Sequence, residues 1–445
     1  MINVLRNPTY ARLFSAQVIA LLGTGLLTVA LGLLAFDLAG DSAGAVLGSA
    51  YAIKMVAYVG LAPIANALVV RLPRKAVLIA ADIIRALIAL LLPFIDAVWQ
   101  IFVLIFLLQA ASATFTPTFQ ATIPDILEDE ADYTKALSLS RLAYDLENLI
   151  SPVLAGLLLL VISYHWLFMG AVVGFAASAM LVLFAVLPAQ NAKVAPGPFL
   201  DRLTRGTRIY LATPRLRGLL ALTLTAASAS AFVLVNTVVM VRSGYDGDEK
   251  SVAYALAAYG AGSMLAALAM PRLLGKLTEQ VVMKSAAIML SGLTLGFGAY
   301  LLIFGLPFWP VFLLIWAITG FLYASILTPS GRLLRNSAHA EDRPSVFAAQ
   351  FALSHVCWLI TYPVAGWAGK VLGLPGAMTI LGLLAFVGVA ISRNVWPADD
   401  PKELLHDHPE LPRDHPHFRD HKGTGRTHRH VFVIDDEHRA WPTHG

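Results

Sequence analysis

Apolar residues run along this chain in blocks of about twenty, the length a helix needs to cross a bilayer, separated by short polar segments. Twelve blocks are predicted as spans, at 11–36, 44–70, 76–97, 99–123, 136–163, 166–188, 215–240, 251–274, 281–304, 308–330, 344–369 and 374–393. One of them breaks the rule of uniform greasiness. The stretch from Ala136 to Val161 holds Arg141, Asp145, Glu147 and Asn148. At 100° per residue, Arg141, Asp145, Asn148 and Pro152 share one narrow sector, with Ser140, Tyr144, Glu147 and Ser151 in the next. Leu142, Leu146, Leu149 and Ile150 fill the other side. With hydrophobic spans on both flanks, this reads as a membrane helix with one polar face. Asp145 lies about 14 Å in from Ala136, near the middle of a hydrocarbon core roughly 30 Å thick. Ionisable groups at that depth mark a route for a charged or protonatable solute.

Composition agrees. Hydrophobic residues make up 58% and charged residues 13%, and mean hydropathy is +0.70. The first apolar run has no cleavage pattern before it and is expected to be retained. The single cysteine, Cys357, excludes an internal disulfide and a cysteine-cluster metal site. With both termini in the cytoplasm, only three of the 32 Lys and Arg fall in periplasmic segments (Arg242, Lys250 and Lys370), the asymmetry of the positive-inside rule. The basic balance therefore belongs to membrane loops, and no nucleic-acid partner is expected.

The longest internal loop divides the spans six and six. The expected organisation is a first half over 1–188, a linker over 189–214, a second half over 215–395 and a tail over 396–445. Within the linker, 199–211 reads as an amphipathic helix with Arg202, Arg205 and Arg208 on one face, expected to lie on the inner leaflet. The halves repeat each other. Thr116-Pro117 followed by Pro152-Val153 parallels Thr328-Pro329 followed by Pro363-Val364. Parallel six-helix repeats with a site at the midplane are the architecture of a secondary transporter.

These features resemble the major facilitator superfamily over residues 1–395. The chain is more closely similar to its branch of drug and siderophore exporters, in Asn7-Pro-x-Tyr-x-Arg-Leu-Phe, Ala81-Asp82-Ile-Ile-Arg85-Ala86 and Ala121-x-Ile-Pro124-Asp125. The family signature Gly-x-Leu-Ala-Asp-Arg-x-x-Arg-Arg reads here from Asn66 to Lys75. It keeps the basic residues Arg71, Arg74 and Lys75, but Val70 replaces the acid, which weakens the carry-over of a gating salt bridge. The tail ending, Val431-Phe-Val-Ile-Asp435-Asp-Glu-His438-Arg-Ala-Trp441-Pro, resembles bacterial nickel-resistance exporters of the NreB type. The resemblance implies an all-α integral membrane protein of twelve helices in two pseudo-symmetric halves, multi-pass in the bacterial inner membrane. It further implies a monomer without a resident cofactor that exchanges nickel or cobalt for protons, and not an enzyme. No phosphate loop, zinc-protease helix or serine triad contradicts that.

Nine of the twelve histidines lie in the tail, three pairs of them at His-x-His spacing. Imidazole suits nickel, cobalt, copper and zinc, so His406, His408, His415, His417, His421, His428 and His430 are the expected tail ligands. The midplane candidates for metal and proton are Asp145, Glu147 and His355, with Arg141, Tyr144 and Asn148 beside them. His355 is the repeat equivalent of Tyr144, and a carboxylate in a low-dielectric cavity has the raised proton affinity that exchange requires. Asp37 and Asn236 are candidates nearer the outer ends of their spans. Asp82 and Arg85 read as a structural pair. Two other readings stay open: an exporter of organic solutes to which the tail is incidental, and a membrane metal sensor.

Overall fold

The computed structural model describes residues 2–61, 72–127, 129–187, 199–339, 342–397, 399–400, 403–407, 423–424, 427–435, 437–438 and 440–442. The described chain is all-helical apart from a small sheet in the tail. The first half contains α1 (Pro8–Ala39), α2 (Ala43–Val56), α3 (Arg74–Leu91), α4 (Val98–Ile126), α5 (Glu130–Leu159) and α6 (Tyr164–Phe184). The linker helix is α7 (Phe199–Ala212). The second half contains α8 (Pro214–Val239), α9 (Glu249–Leu273), α10 (Glu279–Phe304), α11 (Trp309–Leu327), the short α12 (Ser330–Arg335) and α13 (Arg343–Val395). Nine described helical segments are long and apolar enough to cross a membrane, and two of these, Pro8–Val59 and Ser345–Val395, exceed fifty residues. Each of the two bends at a glycine with positive φ, Gly40 at +53° and Gly373 at +74°, a region that costs a residue with a Cβ. Among the described residues, α5 is not one of the nine.

Local chemistry explains the ends. Asn7 accepts from the amides of Thr9 and Tyr10 at 3.0 and 3.1 Å, with Pro8 in the first turn of α1, and Asp129 accepts from Asp132 N at the head of α5. Such caps satisfy amides that have no helical partner. Inside the spans, hydroxyls turn back on their own helix, as Thr24 does to Ala20 O (3.0 Å) and Thr118 to Thr114 O (2.8 Å). Polar groups are thereby satisfied without water.

The helix contacts of the first half recur in the second. α1 packs on α6, and α8 on the limb of α13 after Gly373; α3 packs on α6, and α10 on that same limb. The sequence repeat is not matched in detail. α4 continues through Pro117, whereas the chain leaves helix at Thr328-Pro329 and turns into α12. At the later prolines the two halves agree, since α5 and α13 both continue through Pro152 and Pro363.

Two seams join the halves, α2 against α13 and α5 against α9. Among the described residues their tightest approaches lie at the end of the molecule far from both termini. A Cβ on Gly48 would sit 2.5 Å from the carbonyl oxygen of Tyr362 and 3.1 Å from Cα of Gly366, and one on Gly156 would sit 2.9 Å from Ala253 O. Small residues there let backbones touch. Trp367 Nε1 donates to Ser49 Oγ (3.2 Å), and Ser243 Oγ to Asp41, across the same end.

The linker helix packs on the second half. Its Ile209 and Tyr210 are buried against the second half. Tyr210 donates to Gln350, and Arg205 Nε donates to Asp342 Oδ1 at 2.6 Å. Gly206 lets α7 lie directly on the backbone of Ser345. Ile209 and Tyr210 are thus covered by protein, while Leu211 stays exposed.

Candidate functional site

The polar helix of the sequence is a single run, α5, and all of Arg141, Tyr144, Asp145, Glu147 and Asn148 lie on it. Their side chains are outside the described residues. Ala143, among them, is buried. α5 packs on α1 on one side and α9 on the other.

His355 stands on the first limb of α13, half-buried. Its Nδ1 donates to Phe351 O at 2.6 Å. In the neutral ring that bond leaves the lone pair on Nε2, so the backbone sets the tautomer. The ring lies 4.1 Å from Phe351 and 5.2 Å from Tyr58 of the first half, centroid to centroid. The repeat makes His355 the equivalent of Tyr144, one position from that of Asp145. α13 lies on α2 and α8, and α5 on α1 and α9. The neighbour the fold gives His355 is Tyr58, in the turn that follows α2, which periodicity did not single out. Cys357, expected to serve packing, is buried with Sγ 3.9 Å from Leu220 O.

Further along the same limb runs an aromatic row. Tyr362 meets Tyr51 at 4.9 Å and Trp358 at 5.1 Å, and Tyr323 links Trp358 to Tyr259 at 6.4 and 5.9 Å.

At the far end, Asp37 is exposed and accepts from Tyr164 OH, whose backbone N in turn donates to Glu249 Oε2 at 3.4 Å. Asn236 is buried; its Nδ2 donates to Ala365 O at 3.0 Å. It lines a cavity of about 300 Å³ together with Asp41, Ser243 and Lys370, over a floor of glycines that includes Gly44 and Gly366. Asp37 and Asn236 therefore sit away from His355, in the region where the halves close.

At the terminal end, Arg71 lies outside the described residues. Arg74 forms an ion pair with Asp125, and Lys75 Nζ donates to Ala185 O at 3.0 Å. The acid missing at Val70 is thus supplied to Arg74 from the end of α4. The signal for it was the Ile-Pro124-Asp125 stretch. Deeper in the first half, Asp82 and Arg85 form the expected pair, fully enclosed; Asp82 also accepts from Ser178 Oγ at 2.6 Å, and the guanidinium lies over Phe115 and Phe175 at 4.4 and 4.7 Å.

The tail is folded where it is described. β1 (Glu403–Asp407), β2 (Gly423–Thr424) and β3 (Thr427–Val431) form an antiparallel sheet in the order β1-β3-β2. Its register sets His406 opposite His428 and Leu404 opposite His430. The side chains of His406, His428 and His430 lie outside the described residues, as do His408, His415, His417 and His421 entirely. Among the described residues no group of three or more His, Cys, Asp or Glu is placed to hold a metal. Past β3, Phe432, Val433 and Ile434 are buried. Asp435 accepts from His438 Nδ1 at 2.9 Å and pairs with His339 Nε2 at 3.2 Å. Trp441 stacks edge-on against Phe432 and lies beneath the guanidinium of Arg215, 5.5 Å from its ring.

Two helical halves rich in membrane-length apolar helices, meeting along α2–α13 and α5–α9, have the build of a membrane transporter. The chain belongs to the Major Facilitator Superfamily, whose family model matches residues 13–293. It is 24% identical over 388 residues to the uncharacterized MFS-type transporter YfiS of Bacillus subtilis (strain 168), covering 85% of this chain and 91% of that one. Among solved structures, a mutant of the nucleoside transporter NupG superposes with a TM-score of 0.66 at 14% identity, covering 87% of this chain and all of the other. A bacterial homolog of the human lysosomal transporter Spinster, in an inward-facing and unoccupied conformation, gives 0.65 at 11% identity, with 88% and 99% covered. The D-xylose-proton symporter gives 0.63 at 10%, with 87% and 98% covered. At these identities the structures speak for the fold alone. The protein is a multi-pass membrane transporter and not an enzyme.

Proposed function

We propose that this transporter exports a divalent transition metal, nickel first and cobalt second, from the cytoplasm in exchange for protons. In this reading it works by alternating access in a bacterial inner membrane, as a monomer with both termini inside. The observation that carries the metal is the tail. Nine of twelve histidines fall in its fifty residues, and the β1–β3 register sets His406 directly opposite His428, a spacing at which cross-strand side chains interact. Imidazole is a ligand for the later first-row metals. The carrier site would be Asp145, Glu147 and His355. The Nδ1 bond of His355 to Phe351 O supports that role, because a ligating histidine commonly donates its other ring N–H to a fixed acceptor. A carboxylate there would release its cation on taking up a proton. Arg74, Lys75 and Asp125 would set the balance between the two access states at the cytoplasmic end.

A second reading has an observation of its own. The aromatic row from Tyr51 through Tyr362 and Trp358 to Tyr323 suits a planar organic solute, which would stack where a bare metal gains little. The printed names of the structural neighbours, a nucleoside transporter and a sugar symporter among them, are of that kind. Nickel accumulation separates the readings. Cells making the full chain should hold less nickel than empty cells, and cells making Asp145→Asn should not. A chain stopped after Asp400 then tells whether the tail is essential or auxiliary. Equal nickel in all strains sinks the metal reading and favours the organic one.

A further inference from the structure

One buried polar side chain in the first half is left unbonded by the described residues. Gln17, on α1, is 2% exposed. Neither its amide nitrogen nor its amide oxygen has a hydrogen-bond partner among the described residues. Its helical neighbours Leu13, Ala16 and Ala20 are buried and apolar. A buried amide left unbonded costs stability, and a leucine of similar size would cost less. In a bilayer such a group is expected to face a cavity or a solute rather than lipid.

The packing of α1 on α5 fixes what Gln17 is level with. Tyr10 OH donates to Ala136 O at 3.2 Å, a separation of 126 positions. Gly25, fifteen residues on, is the small residue that admits Ser151, again 126 positions away (151 − 25). The two helices therefore run parallel and in constant register between these anchors. Gln17 falls level with Ala143, which is buried at 5%. Positions 141 to 147 of α5 occupy about 9 Å of rise centred near that level. The seam holds another orphan as well: Ser151 Oγ, buried, has no partner among the described residues.

We infer that Gln17 is a solute-facing residue of the α5 site, whose amide hydrogen-bonds a partly hydrated divalent cation through the cation's own water. This rests on the proposed reading of α5 and adds to it a residue from α1. An amide carries no charge, so it takes a water hydrogen or offers its own N–H without altering the charge balance between metal and carboxylates. Water held between a ligand and a protein group binds nearly as well as a direct contact. Gln17 thereby selects for the hydrated size of the cation, while the carboxylates select for its charge.

The test uses the purified full-length chain in lipid nanodiscs, with nickel chloride as the probe, and compares Gln17→Leu, Gln17→Asn and Asp145→Asn. Gln17→Leu is expected to melt at or above the wild-type temperature yet bind nickel at least tenfold more weakly. Gln17→Asn, which keeps the amide, should recover part of that loss. Wild-type nickel affinity in Gln17→Leu, with Asp145→Asn impaired, overturns the inference and leaves the site reading standing. A lower melting temperature in Gln17→Leu together with weaker binding also overturns it, since the amide is then structural. Wild-type affinity in both Gln17→Leu and Asp145→Asn removes the metal site and the inference with it.

Discussion

His339, in the turn ahead of α13, pairs with Asp435 of the tail across 96 positions of sequence, Nε2 to Oδ2 at 3.2 Å. Through this bond the tail is held to the body of the transporter. Burial alone would raise the Asp435 carboxyl, but hydrogen bonds from His339 and His438 outweigh it and hold the group well below the usual carboxylate range. A carboxyl whose pKa is depressed on folding contributes stability that is present above its unfolded pKa and lost only as pH falls through the folded value. From pH 8 to 5 the carboxylate therefore stays charged. Asp435→Asn should remove about 1.5–3 kcal/mol and speed amide exchange in Phe432–Ile434 roughly 10- to 100-fold. Exchange at the wild-type rate would mean that the Phe432 and Trp441 contacts hold the tail without the ion pair.

The enclosed pair of Asp82 and Arg85 gives a second expectation. Removing one partner leaves a buried charge, which costs about 3–5 kcal/mol. Arg85→Ala also loses two aromatic faces. It should lower the melting temperature of the detergent-solubilised protein more than Ser178→Ala, which removes only the 2.6 Å bond to Asp82. Equal losses would show that the pair is solvated through water and not enclosed.

Glycine packing at the far end makes a conformational prediction. A Cβ on Gly48 would meet the carbonyl oxygen of Tyr362. Gly48→Val should hold the halves apart there, slow transport at least tenfold, and leave each half folded. Cysteines placed at Asp41 and Ser243, which bond across the closure, should cross-link in the parent background and fail to do so beside Gly48→Val. Unimpaired cross-linking would show that α2 and α13 adjust without opening.

His355→Phe keeps the ring contacts to Phe351 and Tyr58 while deleting both nitrogens. Nickel transport should fall at least tenfold, with the melting temperature within a few degrees of wild type. If an organic solute is the cargo, the same variant should transport it nearly as well as the parent. The two cargoes are thereby told apart by one side chain.

The spans were legible because run length and polar interruption are properties of a segment by itself. α5 was legible as one continuous helix for the same reason. What could not be read was partnership. Ile209 and Tyr210 look alike whether they face lipid or protein, and only Asp342 and Gln350, more than a hundred residues away, decide it. Tyr58 gained interest only once α2 was seen beside α13. Gln17 is one glutamine in an apolar run until its neighbours prove unable to bond it. The Thr-Pro repeat shows the converse limit, since like sequences give a continuous helix at Pro117 and a break at Pro329. The histidines of the tail announced themselves by number, whereas the contacts of Trp441 with Arg215 and of Asp435 with His339 are revealed by no tail composition.

The way the two ends of the central connection are tied has a mechanical consequence. The end of α6 is moored to the first half, where Arg12 and Lys75 donate to the carbonyls of Phe184 and Ala185. α7 is bolted to the second half by Arg205 and Tyr210. The twelve steps of chain from Leu187 to Phe199 span at most about 40 Å, which bounds how far the halves can part. Torque between the halves passes instead through the two packed seams, which act as bearings, and the linker helix travels as cargo of the second half.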